Sequence, residues 1–86
     1  MGTEQYEQAQ LAIANLKAAI HGLLSDKNTP SKGLRNVDIS RALGIRGGIG
    51  SSGKLEHLDW ISKTVLCMME REEVVECNNR YWKLGE

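Results

Sequence analysis

Apolar residues recur at steps of three and four in two long stretches of the chain, and each stretch predicts a helix. The first prediction covers residues 4–24, which are followed by a run of turn-forming residues over 26–33. Its apolar positions are Ala9, Ile13, Leu16, Ile20 and Leu23. The second prediction covers residues 54–72, and its apolar positions are Leu55, Leu58, Ile61, Val65, Met68 and Met69. Each helix therefore offers one apolar face to a shared core.

The residues between these helices predict a short helix and then a loop. The helix covers 37–43, where Asn36 suits the N-cap and Gly44 suits the left-handed position after the last turn. Five of the ten residues over 44–53 are glycine, which makes an ordered backbone there costly. We therefore expect a glycine-rich loop that leads into the third helix.

The end of the chain carries its strongest strand pattern. It predicts a β-hairpin over 74–84 with Asn78 and Asn79 at the turn, because asparagine tolerates the backbone of a tight hairpin. In the predicted register Val75 lies opposite Trp82, on the buried face. Three helices and a hairpin make a mainly α fold, and we expect residues 1–86 to form a single domain.

Charge is balanced over the whole chain but not along it. Eleven Lys and Arg residues match eleven Asp and Glu residues, so no net charge attracts nucleic acid or a membrane. Residues 27–54 nevertheless hold six cations against Asp38 alone, a local charge of about +5. These cations are Lys27, Lys32, Arg35, Arg41, Arg46 and Lys54. The middle of the chain is therefore the part best suited to an anionic partner.

Cysteine usage and the apolar runs bear on location. Two cysteines, Cys67 and Cys77, do not make a disulfide scaffold, which favours a reducing compartment. We therefore expect a cytoplasmic protein. The longest apolar run, Val65–Met69, is far too short to cross a bilayer, and no membrane contact is expected.

The stretch GIGSSGKL, residues 48–55, nearly matches the G-x-x-x-x-G-K-[ST] loop that binds nucleotide phosphates. Leu55 stands where that loop needs a hydroxyl for magnesium, and the residues before it do not read as a buried strand. Nucleotide hydrolysis is therefore disfavoured. The stretch is better interpreted as a linker that opens a helix, whose backbone N–H groups would also suit a DNA phosphate.

Metal binding and catalysis have no support in the residue spacing. His57, Cys67 and Cys77 recur every ten residues, but ten residues turn a helix by about 280°, so His57 and Cys67 do not share a face. The chain has no C-x-x-C or H-x-x-x-H spacing. No carboxylate pair or Ser/His/Asp set can be chosen without arbitrary selection. We expect no enzyme activity, no metal and no other cofactor.

Three segments resemble one protein family. Residues 38–45, DISRALGI, are similar to the second helix and turn of bacterial helix-turn-helix regulators. Residues 65–75, VLCMMEREEVV, resemble the end of the third helix and the first wing strand of winged members, and RYWKL over 80–84 resembles the closing strand. The chain thus resembles a winged helix-turn-helix domain, a fold also found in the N-terminal modules of certain restriction systems.

Two features depart from the family pattern. Gly44 and Glu70 lie much farther apart than usual, because of the glycine-rich loop and a longer third helix. Glu73 occupies the place of a helix-ending glycine, which changes only the local cap. The first departure bears on which residues would enter a DNA groove.

The resemblance implies that the third helix lies in the major groove of double-stranded DNA and reads bases with its exposed face. The residues on that face are Lys54, His57, Trp60, Lys63 and Thr64, and all of these except Trp60 are expected to contact the groove. The residues expected at phosphates are Arg41, Arg46, Ser51 and Ser52. The residues at the wing tip are Asn79 and Arg80. Such a domain would serve as a transcriptional regulator or as the DNA-targeting module of a larger protein.

A winged helix used for protein contact without DNA binding is the alternative, because the chain is neutral and the wing is short. Trp60 and Tyr81 would then anchor the interface, although Trp60 is more simply interpreted as half-buried packing. A homodimer through the first helix is also expected to be feasible, since its alanines permit close approach. These alanines are Ala9, Ala12 and Ala19.

Overall fold

The computed structural model describes residues 3–49, 55–57 and 59–85. Within these residues the chain forms three helices, a three-stranded antiparallel sheet and a separate two-stranded sheet. The elements are α1 (Thr3–Ser25), β1 (Leu34–Arg35), α2 (Asn36–Ala42), β2 (Arg46–Ile49), β3 (Leu55–His57), α3 (Asp59–Arg71), β4 (Val75–Asn78) and β5 (Tyr81–Leu84). The expectation of a mainly helical fold with a C-terminal hairpin is confirmed at this level.

The core forms where the three helices meet the three-stranded sheet. Its buried apolar residues are Ile20, Leu24, Ile39, Val65, Leu66, Met69, Val75 and Trp82. Trp82 is only 4% exposed and is the largest of these side chains. Its burial closes the core beneath the hairpin and contributes roughly 2–3 kcal/mol or more through apolar area removed from water.

Only the second half of α1 packs against this core. Ile20 and Leu24 are buried, whereas every residue over 3–12 is exposed. Tyr6 and Leu11 are 65% and 63% exposed, so the first three turns of the helix have apolar side chains in solvent. The predicted apolar stripe thus continues along a part of α1 that does not pack against the core.

A polar network joins the start of α2 to the start of α3. The Asn36 side chain donates from Nδ2 to the Asp59 carbonyl at 3.1 Å, and its Oδ1 accepts from the Ser62 hydroxyl at 2.6 Å. The buried Ser40 hydroxyl donates to Asp59 Oδ1 at 2.7 Å. Asn36 was expected to be the N-cap of α2, but Arg35 holds that position. The Asn36 amide instead fixes the packing of the two helices.

The prediction of a helix over 54–72 is wrong in its first part. Leu55 and His57 lie in β3, which pairs antiparallel with β2 inside the stretch that was expected to be a loop. The helix begins at Asp59, whose carboxylate favours the positive end of the helix dipole. Leu55 and Leu58 fit the apolar spacing of the helix, which is why periodicity alone extended it too far. Lys54 and Leu58 lie outside the described residues.

The hairpin register differs from the predicted one by two residues. Val75 pairs with Leu84 and Cys77 with Trp82, so the turn consists of Asn79 and Arg80 rather than Asn78 and Asn79. Both turn residues have positive φ, 55° and 74°, as a primed hairpin turn requires. A shift of two residues leaves every side chain on the same face, and Trp82 is buried as expected.

The sheet has three strands rather than the expected two, because β1 pairs with the outer edge of β5. Leu34 lies opposite Trp82, and Arg35 lies opposite Tyr81. Gly33, immediately before β1, has φ +96°, and its backbone approaches the Trp82 carbonyl group closely. This short strand ties the start of α2 to the hairpin.

Two helices end in the same hydrogen-bonded cap, one with glycine and one without. At the end of α2, Gly44 has φ 75°, and Ile45 N–H donates to the Ser40 carbonyl at 2.8 Å. At the end of α3, Glu73 has φ 63°, and Val74 N–H donates to the Met69 carbonyl at 2.9 Å. Both are Schellman caps, and glycine is favoured at the left-handed position of each.

Replacing Glu73 with glycine is therefore expected to stabilise the protein by about 0.5–1 kcal/mol, because relief of left-handed strain exceeds the added flexibility of the unfolded chain. Glu70→Gly is the matched control, since it removes the same charge from the same helix end but weakens a helical position. We expect it to lose about 1 kcal/mol. Urea unfolding of both variants measures these changes, and equal destabilisation by the two would contradict the assignment.

Candidate nucleic-acid interface

A cleft of about 400 Å³ opens between α3, the hairpin turn and the start of α2. Its described lining residues are Arg35, Asn36, Lys63, Cys77, Arg80 and Trp82. Three of these six side chains are cationic, and none is acidic. The cleft is therefore a basic site on a domain whose overall charge is zero.

Each cation reaches this basic cleft from a different element. Lys63 projects from the exposed face of α3, and Arg80 is the second residue of the hairpin turn. Arg35 ends β1 and caps α2, where pairing with β5 places it across from Tyr81. Because these elements are far apart in the chain, only the folded domain brings the three charges together.

Arg35 is able to bind an anion although its side chain also forms an ion pair within the protein. Its Nε donates to Asp38 Oδ2 at 3.4 Å, and the two side chains are 54% and 36% exposed. An exposed pair of this kind contributes at most about 1 kcal/mol. A guanidinium has five N–H donors, so its two terminal nitrogens suit a phosphate oxygen.

Acidic residues gather at the other end of α3. A second cleft is lined by Glu70, Glu73, Val75, Glu76 and Gly85. Two of the acids nearby are paired, since Lys17 contacts Glu72 at 2.7 Å and Lys83 contacts Glu76 at 3.3 Å. These acids lie at the last turn of α3 and just beyond it, about two helical turns from Lys63.

The exposed face of α3 carries Trp60, and Lys63 and Thr64 follow it one turn later. Trp60 is 64% exposed, so the interpretation of this residue as half-buried packing is wrong. Its indole lies outside because the core-facing positions of α3 are those of Ser62, Val65 and Leu66. The Thr64 hydroxyl donates to the Trp60 carbonyl at 2.7 Å.

The other residues expected at DNA fall into three groups. Arg41, in the last turn of α2, and Asn79, in the hairpin turn, are exposed. Arg46 and His57 are paired across β2 and β3, so His57 does not belong to α3 as expected. Ser51, Ser52 and Lys54 lie outside the described residues.

Sequence patterns did not single out Arg35 as a site residue. It belongs to the basic block over 27–54, but a two-residue strand is too short to show an alternating pattern. Its role at the basic cleft depends on pairing with β5, a contact between residues distant in the chain. The density of cations over 27–54 was the one available signal.

The described residues also bear on metal binding and on membrane contact. In residues 3–49, 55–57 and 59–85 no three His, Cys, Asp or Glu side chains are grouped to hold a metal ion. None of the helices in those ranges combines the length and apolar character that crossing a membrane demands.

Comparison with models of known protein families, with curated proteins and with solved structures gives no match to this chain. The basic cleft and the exposed face of α3 are therefore the features of the molecule from which a function can be inferred.

Proposed function

We propose that this protein is a winged helix-turn-helix domain that binds double-stranded DNA through α3 and the hairpin. The observation that supports this most is the basic cleft, where Arg35, Lys63 and Arg80 converge beside the exposed face of a helix. Phosphate contacts supply most of the affinity of DNA-binding domains, and such contacts need clustered cations. A transcriptional regulator or a DNA-targeting module would use such a domain, and the low cysteine usage favours a cytoplasmic setting.

The arrangement of elements supports the winged-helix assignment. α2 and α3 pack together through the Asn36 network, and the hairpin follows α3 directly. β1 adds to the hairpin in the order β1-β5-β4, which places the start of α2 beside the wing. The β2–β3 hairpin between α2 and α3 accounts for the unusual distance between Gly44 and Glu70.

In this proposal the exposed face of α3 enters the major groove and the hairpin turn contacts the adjacent backbone. Lys63 would donate to a phosphate or to guanine, while Arg35 and Arg80 would each hold a phosphate. Arg41 would extend the phosphate contacts along α2. The acidic residues at and after the last turn of α3 would lie away from the duplex.

The salt dependence of binding tests the proposal. Fluorescence anisotropy with a short duplex of random sequence, between about 50 and 200 mM salt, is expected to give a log–log slope of about −3 to −4, since up to four cations displace counterions. Affinity should fall by more than tenfold across this range. No binding at the lowest salt, or binding with a flat salt dependence, would contradict the proposal.

Contact with another protein is the second candidate, and the exposed start of α1 favours it. Tyr6 and Leu11 project into solvent from turns that the domain core does not cover. A second copy of the chain, packing α1 against α1, would bury at least one of these side chains, because five residues place them about 140° apart around the helix. Sedimentation of the wild type and of a Tyr6→Ser, Leu11→Ser double variant tests this candidate. A wild-type dimer that the two substitutions convert to a monomer supports it, and a monomeric wild type excludes the homodimer.

A further inference from the structure

Trp60 is the most exposed large aromatic residue on the proposed DNA-binding face. It is 64% exposed, whereas Trp82, the other tryptophan of the chain, is 4% exposed. Exposure of the indole to water at this position is unfavourable, because packing does not remove its apolar surface from water. The side chain therefore has an open π-face and edge on the surface of α3.

The neighbours of Trp60 on α3 are polar, which favours a nucleic-acid ligand over an apolar protein surface. Lys63 and Thr64 lie one turn along the same face, and Lys63 also lines the basic cleft. A protein-binding anchor is normally surrounded by other apolar residues that exclude water. An aromatic ring beside a cation instead matches the alternation of bases and phosphates.

The chemistry of this face suits stacking better than reading of base edges. The Thr64 hydroxyl is bonded to the Trp60 carbonyl, and an indole offers one N–H donor and no acceptor. Of these three side chains Lys63 is the one suited to guanine in the major groove, so direct readout of base edges by this face is limited. The large flat surface of Trp60 gains most from the face of a base.

From this we infer that Trp60 is a stacking platform for a base that lies outside a regular duplex, next to a phosphate held by Lys63. The inference rests on the proposed function and specifies which form of DNA the protein prefers. The faces of paired bases are covered by their neighbours in intact DNA. The preferred substrate is therefore duplex DNA with an unpaired or terminal base, such as a single-stranded overhang.

Three DNA ligands test this inference. The first is a dumbbell duplex closed at both ends by non-nucleotide linkers, the second is the same duplex with a short overhang, and the third is the overhang sequence alone. Wild-type protein is expected to bind the overhang ligand about tenfold more tightly than the dumbbell. The overhang should also quench the emission of the exposed Trp60, while the buried Trp82 keeps its emission.

Substitutions at Trp60 separate stacking from general affinity. Trp60→Ala is expected to lose the tenfold preference for the overhang ligand over the dumbbell, and Trp60→Phe should retain most of that preference because a ring remains. His21→Ala is the matched control, since it removes an exposed ring from α1, away from the proposed DNA-binding face. It should leave both affinities unchanged.

The outcomes distinguish the inference from the function on which it rests. Equal affinity of the wild type for the dumbbell and the overhang ligand would overturn the stacking role and leave duplex binding in place. A loss of affinity for both ligands by the same factor in Trp60→Ala, which leaves the tenfold preference intact, would overturn it in the same way. Failure of the wild type to bind any of the three ligands would overturn both.

Discussion

Replacing Gly33 with alanine is expected to destabilise the protein by about 3 kcal/mol or more. A Cβ atom at this position would overlap the Trp82 carbonyl oxygen and lie 2.7 Å from its carbonyl carbon. Both are backbone atoms of β5, so no side chain can move aside. The backbone φ of +96° adds strain for any residue other than glycine. Relief would require separating β1 from β5, which opens the core at Trp82.

Gly44→Ala is the matched control for this substitution. Gly44 also has a positive φ, 75°, but a Cβ there meets no atom within 4 Å. We expect Gly44→Ala to lower the free energy of unfolding by about 1 kcal/mol, because only the backbone strain of a positive φ contributes. Thermal unfolding followed by circular dichroism should show a melting temperature at least about 8 °C lower for Gly33→Ala than for Gly44→Ala. Equal melting temperatures would contradict the close approach of Gly33 to β5.

The second large effect is expected from reversing charge in the basic cleft. Lys63→Glu and Arg80→Glu should each weaken binding to a short duplex about tenfold, and the double variant about 100-fold. Each replaces an attraction to phosphate with a repulsion at a residue that lines the cleft. Both positions are exposed, so the fold should be unaffected.

Lys27→Glu controls for the change in net charge. Lys27 is exposed in the turn after α1 and is not among the residues that line the cleft. Its reversal should weaken binding by less than about threefold, through the long-range field alone. Anisotropy titrations at constant salt compare the variants. Equal losses of affinity in Lys27→Glu and Lys63→Glu would show that the basic cleft does not bind DNA.

The sequence was sufficient for the parts of the fold that local signals define, which are apolar spacing, turn residues and the residues at helix ends. The expected helices over 4–24 and 37–43 lie within one residue of α1 and α2 at each end. The C-terminal hairpin and the burial of Trp82 follow from alternation that a register shift of two does not disturb. These features require only local information.

Features that depend on contacts between distant segments were not accessible from the sequence. Leu55 and His57 continue the apolar and polar spacing of α3, yet pairing with β2 places them in a strand. β1 has two residues and leaves no periodic signal, although it brings Arg35 to the site.

The candidate site was accessible from the sequence only in part. Lys63 and Arg80 were both expected at DNA, and both line the basic cleft. Arg35 joins them only through the third strand of the sheet, and His57 leaves α3 for β3. The resemblance to winged helices therefore indicated the elements of the proposed interface but not its full set of residues.

The most direct test of DNA binding by the basic cleft is an amide NMR titration with duplex DNA of random sequence at low salt. We expect the largest shifts at Arg35, Lys63 and Arg80, and shifts that disappear as salt is raised. Amides near Glu70 and in the first turns of α1 should stay unchanged. A spectrum without shifts at low salt, or shifts confined to the region of Tyr6 and Leu11, would contradict the proposal.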